Sequence, residues 1–519
     1  MAVADSVHPP IGFRLADSPL LQSHHVEPQL LVQIRLKKTI KARFFAILAL
    51  ALVVPIHVWV ISAGWMNFWP QYTANYSLLA DAFLHGQTNL RINPPPALLT
   101  LSDPYDPVKN RSLRLHDASL YHGKYYMYWG PVPAILEAPF LHLLRRPIGD
   151  QFVVFAFAFG LVLVSGLSML EIRQRCFPDA PPWTVGIGVL LAGLSTPIPF
   201  ILARAAVYEA AIIAGQFFLI SGIYFAFTAF KDEKPGHLRL LLASACWAMA
   251  VGSRASLVIA IFALSLLVAA RLCFSRQTDG RITFRLKRSR LAAFAGPLLV
   301  GALLLGTYNQ VRFGTWHEFG QKYQLAAYNL PAIADHLFAR VNAGPAIYAY
   351  SIKPLALLKT FPFVQAMGGP ASYPAFVHLP PDFEALEPAA GILWCTPFLL
   401  FALIPIVGAI VRLLRSKYGQ STDWEVSWMA CCLTAASVLG VAPALFLIGS
   451  TMRYMADLTP ALMILALVGW WQLPASWPSA RRFAPALFLA IVSVTIGILL
   501  GVIGYQGHFP TFHPHYLGL

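Results

Sequence analysis

Long apolar runs punctuated by short basic clusters organise this chain. Stretches of roughly bilayer length occupy 44–64, 150–171, 183–203, 205–230, 238–254, 255–271, 291–310, 389–412, 424–449, 457–475 and 483–505. Runs of this length predict about eleven transmembrane helices. The basic residues orient them. Arg35, Lys37, Lys38, Lys41 and Arg43 abut the first run, and cytoplasmic loops carry the excess of Lys and Arg, so the N-terminus starts inside. Walking the spans from there places Arg173/Arg175, Lys231/Lys234, the 271–290 run, Arg412/Arg415/Lys417 and Arg481/Arg482 on the same side. By this count 23 of the 38 Lys and Arg residues lie inside, on much the shorter total loop length.

One apolar stretch breaks the pattern. Residues 132–144 are short and carry Pro133, Glu137, Pro139 and His142, which reads as an outer-face or re-entrant helix. As a full span it would turn every later basic cluster outward, unless 238–254 or 255–271 were also only a half-span. The expected organisation is therefore a flexible cytoplasmic tail at 1–43 and a membrane domain at 44–505. Two large extracytoplasmic loops, 65–149 and 311–388, interrupt the domain, and an outer tail at 506–519 carries His508, His513 and His515, expected to be disordered.

Composition agrees. At 57% hydrophobic and 12% charged residues, the chain has the make-up of an all-α polytopic membrane protein. Its net charge of +15 follows from the inner basic clusters, which suit anionic membrane lipids rather than nucleic acid. The six cysteines fall in spans or inner loops, so neither a disulfide framework nor a thiolate zinc site is expected. The first span follows a polar stretch and serves as its own insertion signal.

The two outer loops hold most of the candidate chemistry, as loops on a rigid scaffold commonly do. Tyr76, Leu79, Ala80, Phe83 and Leu84 recur at helical spacing until Gly86, which predicts an amphipathic helix lying on the membrane surface, with Asp81 off its apolar stripe. Prolines flank Asp106 in Asp103-Pro-Tyr-Asp-Pro. Then come His116-Asp117 and an aromatic run from Tyr121 to Trp129, including Tyr126, suited to a sugar face or to the lipid interface. A last polar set lies where spans meet the outer face: Arg204 with Glu209, Arg254, Arg312, and Arg453 with Asp457. Ionisable groups at membrane depth are functional or mutually paired. Arg204 and Glu209, or Arg453 and Asp457, could pair along their own stretch of chain.

These stretches carry a resemblance. The Tyr76…Leu79-Ala80…Gly86 helix, Gly123-Lys124-Tyr125-Tyr126…Pro131, Asn309…Arg312-Phe313-Gly314 and Arg453-Tyr454…Asp457 resemble the GT-C superfamily of polyprenyl-phosphate-dependent glycosyltransferases. Within it the likeness is to the protein mannosyltransferase and aminoarabinose transferase type. It covers roughly residues 44–470. Such proteins usually place an acid just after the first span, whereas here 69–75 reads Trp-Pro-Gln-Tyr-Thr-Ala-Asn. The resemblance therefore implies a divergent member, whose base has moved to Asp117, Asp106 or Asp81 or whose chemistry differs.

The resemblance implies a polyprenyl-phosphate sugar donor and a glycan, lipid or protein acceptor at the outer face. Transfer from such a donor needs a carboxylate to deprotonate the acceptor hydroxyl and cations to stabilise the departing phosphate. Asp117 comes first among the acids, because it follows His116 and precedes the aromatic run shortly before the chain re-enters the membrane. Arg204, Arg254 and Arg453 suit the phosphate, since a guanidinium binds it bidentately and stays charged. A divalent ion, Mg or Mn, bridging carboxylate and phosphate is the alternative. The rival reading is a transporter or flippase of lipid-linked sugars, with the same arginines holding a headgroup and no chemistry following.

Overall fold

A computed structural model describes residues 28–230, 236–276, 282–380, 383, 387–415, 421–505 and 507–513. Among the described residues, eight helical stretches are long and apolar enough to cross a membrane: Arg35–Ile61, Asp150–Cys176, Trp183–Leu202, Val207–Ala229, Ala255–Cys273, Arg288–Phe313, Trp424–Phe446 and Ser479–Ile503. Shorter apolar helices, His237–Ser253, Pro397–Arg412 and Thr459–Trp471, fall on the remaining predicted runs, and Val132–Leu144 on the doubtful stretch. Helices suit such sequences because hydrocarbon offers backbone N–H and C=O groups no other partner.

Burial separates centre from rim. In Trp183–Leu202 and Val207–Ala229, 83% of the apolar stretch is buried inside the protein, against 11% in Arg288–Phe313, which the described residues leave largely uncovered. Small residues allow the closest approaches: a Cβ on Gly469 would lie 1.9 Å from the Phe401 carbonyl oxygen, so only glycine lets these segments touch.

Several boundaries differ from the hydropathy pattern. Pro28–Ile61 is one helix, so residues 28–43 continue the span rather than forming a loose tail; nothing between Gln29 and Arg43 breaks a helix. Residues 1–27 lie outside the described residues, as do Lys231, Lys234, Arg281, Lys417 and His515. The 183–203 run divides into Trp183–Leu194 and Ile198–Leu202, because Pro197 has no N–H to continue the ladder. The Arg288–Phe313 helix carries Asn309 and Arg312 in its last turn and stops at Gly314, whose φ of 73° caps it in the left-handed region.

Basic clusters assigned inside do meet at one end of the bundle. Arg175 and Arg271 share Glu425 at 2.7 and 3.3 Å, and Lys38 reaches Asp179 at 2.9 Å. The loops gather at the other end. There Thr73 Oγ1 donates to Asp150 Oδ2 at 2.5 Å, joining chain that precedes Val132–Leu144 to chain that follows it. That helix therefore returns to the end it left. It buries Ala134, Glu137 and Leu141 and exposes Ile135, Leu136, Phe140 and Leu143.

The loop helix, Asn75–Leu84, packs most of the apolar stripe expected to face a membrane surface against protein instead. Tyr76, Leu79 and Ala80 are fully buried, packed with Val132–Leu144, because a second apolar helix close in sequence offers the stripe a protein partner. Residues 507–513 do not form a disordered tail. His508–Phe512 is helical. His508 lies buried between the Val60 carbonyl, 2.8 Å from Nε2, and the Tyr72 hydroxyl, 2.9 Å from Nδ1, while Trp65 faces His513 with ring centres 4.1 Å apart. The aromatic residues around the first span's outer end give this short segment a surface to fold against.

Candidate functional site

The outer loops and the outer ends of the helices converge on one buried polar cluster. Its placement begins with Asp150. The loop helix starts after Ala74, which has no capping side chain. Asp150 supplies the cap from the far side of the loop: its carboxylate accepts the N–H groups of Asn75 and Tyr76, both at 3.0 Å, as well as the Thr73 hydroxyl. Thr73 Oγ1 in turn accepts the Val207 N–H at 2.9 Å, which ties the start of Val207–Ala229 to the loop. In space, then, an acid does stand just after the first span. It is fully buried and its role there is to cap.

Three arginines and three carboxylates form the centre. Arg204 lies in the turn before Val207–Ala229, Arg254 closes His237–Ser253, and Arg453 and Asp457 share the short 3-10 turn Met452–Asp457. Glu209 is in the first turn of its helix, where the helix dipole favours negative charge. The expected pairs along the chain do not form. Arg254 instead grips Asp457 through Nε, at 2.9 and 3.0 Å from the two carboxylate oxygens, and through Nη2. Arg453 lies 3.3 Å from Glu209 and 2.8 Å from Glu387, and Arg204 lies 3.4 Å from the same Glu387 oxygen. The other Glu387 oxygen accepts the Thr451 hydroxyl. Gln216 donates to Asp457 at 3.0 Å.

Aromatic rings bind the set together. Arg453 stacks over Tyr208 at 4.5 Å, Arg204 over Tyr505 at 4.7 Å, and Arg254 and Arg453 lie on Tyr454 at 5.2 and 5.7 Å. Arg204, Arg254 and Arg453 thus share one site. Glu209 Oε2 and Arg453 Nε are buried without a hydrogen-bond partner among the described residues.

Asp117 joins this cluster from the first outer loop. Its N–H donates to the Leu325 carbonyl at 3.1 Å, and the Leu325 N–H returns to Ala118, so the second outer loop pairs with the first here. Gln324 Nε2 lies 2.8 Å from both Asp117 Oδ1 and the Tyr208 hydroxyl. Asp117 has φ of 65°, in the left-handed region that aspartate tolerates better than most residues and that recurs at functional sites. Its second oxygen faces His116 Nε2 at 3.6 Å, with the imidazole largely exposed.

The other candidates lie elsewhere. Asp106 accepts the Val108 and Lys109 N–H groups in an exposed turn and pairs with Lys109 at 3.4 Å. The Val108 N–H above all holds its carboxyl below the usual range. Asp81 pairs with Arg91 at 3.0 Å and His85 at 3.4 Å on the surface. Arg312 turns away from the arginine cluster: it donates to the Met127 carbonyl and Asn309 and stacks on Tyr308 at 3.8 Å. Tyr126 packs on Phe313, ring centres 5.4 Å apart, within an aromatic group that also contains Tyr121 and Tyr323.

Sequence reasoning missed Glu387, Gln324, Tyr208, Thr451 and Gln216. Tyr208 and Gln216 sit in an apolar run as isolated polar groups, which was the available signal. Glu387 had none, being one of several acids in a proline-rich loop. Among the described residues no three His, Cys, Asp or Glu side chains are grouped to hold a divalent ion, and Glu387 and Asp457 already face guanidinium and hydroxyl or amide donors.

No family model matches the chain, and neither does any curated protein. Among solved structures it is similar to the oligosaccharyltransferase of Archaeoglobus fulgidus in its apo form, at 14% identity and a TM-score of 0.44, over 89% of this chain and 56% of that one. It is also similar to the archaeal oligosaccharyltransferase AglB from the same organism, in complex with an inhibitory peptide and a dolichol-phosphate, at 14% identity and a TM-score of 0.43 over 90% and 56% of the two chains. The chain spans little more than half the length of these solved proteins.

Proposed function

We propose that this chain is an integral membrane glycosyltransferase that moves a sugar from a polyprenyl-phosphate donor to a cell-envelope glycan, lipid or protein acceptor at the outer face. In this reading the N-terminus is cytoplasmic and the chain crosses the membrane about eleven times. The observation that carries it is the contact chain Asp117–Gln324–Tyr208–Arg453, which joins a carboxylate on one outer loop to guanidiniums at the ends of the spans. Paired cations alone would serve a transporter. A carboxylate oriented beside them by an amide supplies the second half of a group transfer.

The step runs as follows. The acceptor hydroxyl oxygen attacks the anomeric carbon while its proton passes to the Asp117 carboxylate. The bond from the anomeric carbon to the phosphate oxygen breaks, and its electron pair leaves with polyprenyl phosphate. Arg204, Arg254 and Arg453 stabilise the charge gathering on that phosphate. Gln324 holds Asp117 Oδ1, leaving Oδ2 for the proton.

The test is Asp117→Asn, which preserves shape and removes the base. Membranes carrying the variant, incubated with radiolabelled polyprenyl-phosphate sugars, should form product at least ~100-fold more slowly, the ordinary contribution of a general base. Product formation at the wild-type rate would refute Asp117 as base. Wild-type membranes that move the labelled lipid across the bilayer without transferring its sugar would favour the flippase.

A further inference from the structure

Glu387 occupies the place that best suits a ligand phosphate. One of its oxygens faces both Arg204 Nη1 and Arg453 Nη2, at 3.4 and 2.8 Å, while the other accepts the Thr451 hydroxyl. Two guanidiniums and a hydroxyl converging on one pair of anionic oxygens is the donor set expected of a phosphate pocket. The carboxylate also determines the local charge. Arg204, Arg254 and Arg453 directly face Glu209, Glu387 and Asp457, and Asp117 adds a fourth carboxylate through Gln324 and Tyr208. Without Glu387, Arg204 has no carboxylate partner among the described residues and Arg453 keeps only Glu209.

The three acids are not equivalent. Asp457 faces Arg254 and Gln216 from inside the bundle, and Glu209 belongs to the first turn of a central helix. Both are held by rigid elements. Glu387 comes from the second outer loop and lies in no helix or strand among the described residues; after it, Pro388 accepts the Met452 N–H at 3.3 Å and Ala389 donates to Met367 at 3.0 Å. It is the one acid of the three that can leave without unwinding a span.

We propose that Glu387 is an internal stand-in for the donor phosphate: it neutralises Arg204 and Arg453 in the empty protein and is displaced when a polyprenyl-linked phosphate arrives. This rests on the glycosyltransferase reading and adds to it a residue that controls donor affinity. A phosphodiester carries one negative charge, the same as the Glu387 carboxylate that it displaces. Such an exchange spares Arg204 and Arg453 the loss of this partner between turnovers, which is costly for the buried Arg453. It also makes the second outer loop sense whether the donor is bound.

Binding of farnesyl phosphate, a short polyprenyl phosphate, to the detergent-solubilised full chain tests this. Glu387→Gln removes the competing charge and should bind about tenfold tighter than wild type. Equal or weaker binding by a folded Glu387→Gln protein overturns the proposal. A second measurement needs no variant. Saturating farnesyl phosphate should speed hydrogen exchange in wild-type peptides containing Glu387 while slowing it across 451–457. Unchanged or slower exchange around Glu387 overturns the proposal even if the variant fails to fold. Inorganic phosphate at equal concentration should bind far more weakly, and equal binding would assign the pocket to free phosphate and overturn the lipid-linked ligand. If farnesyl phosphate binds neither wild type nor Glu387→Gln, the phosphate site itself is refuted. If it binds wild type and is lost in Arg453→Gln, while Glu387→Gln brings no gain, only the stand-in role is refuted.

Discussion

Replacing Asp457 by Asn tests whether the arginine cluster is held by charge pairing. Asp457 is 1% exposed and receives three contacts from Arg254 and one from Gln216. Opposite charges about 3 Å apart attract by roughly 5 kcal/mol at an effective dielectric of about 20, and burying both partners offsets most of that gain. Removing one partner is different, because it strands the other: breaking a buried pair costs about 3–5 kcal/mol. Asp457→Asn should therefore lose about that much stability, since its amide presents N–H groups to a guanidinium that needs an acceptor. The double variant Arg254→Met/Asp457→Leu removes both charges, and most of the loss should return, leaving it within about 1–2 kcal/mol of wild type. Activity should stay lost in both. Equilibrium unfolding in mixed dodecylmaltoside–SDS micelles, followed by tryptophan fluorescence, gives the comparison. An Asp457→Asn protein within about 1 kcal/mol of wild type, or a double variant no more stable than the single, would refute the reasoning.

Three further outcomes are expected. Lys353 is buried in the second outer loop with the Met367 carbonyl at 2.9 Å and the Tyr373 ring at 4.4 Å, and burial lowers its pKa from 10.5 to about 8; between those values the unfolded chain binds more protons, so stability should climb with pH across that window and hold a constant deficit below it. Lys353→Met should abolish this component of the pH dependence, and an unchanged slope in the variant would disprove it. Gly130→Ala should destabilise the protein by about 1–3 kcal/mol through overpacking, because its Cβ would meet the Gly252 carbonyl oxygen at 2.0 Å; activity should fall as well, since Arg254 lies just beyond, and wild-type activity at an unchanged unfolding midpoint would count against it. Asp106→Asn and Asp81→Asn should keep wild-type transfer rates in the membrane assay, as their partners are surface groups outside the cluster.

What the sequence determined by itself is the set of apolar helices and the cast of residues. Each apolar run became a helix because hydrocarbon leaves its backbone no other partner, and this depends on local composition alone. The arginines at the span ends were legible for the same reason, as charges too expensive to place at that depth without a purpose. Asp117 stood out by its place ahead of the aromatic run. Pairing was beyond reach. Arg204 chose Glu387, Glu209 chose Arg453 and Asp457 chose Arg254, each across long stretches of chain. The loop helix likewise took its cap from Asp150 and its cover from Val132–Leu144. Periodicity reports which face of a helix is apolar and says nothing about whether lipid or protein will cover it. Electrostatic partners are selected by distance in space, which only the packing of the helices decides.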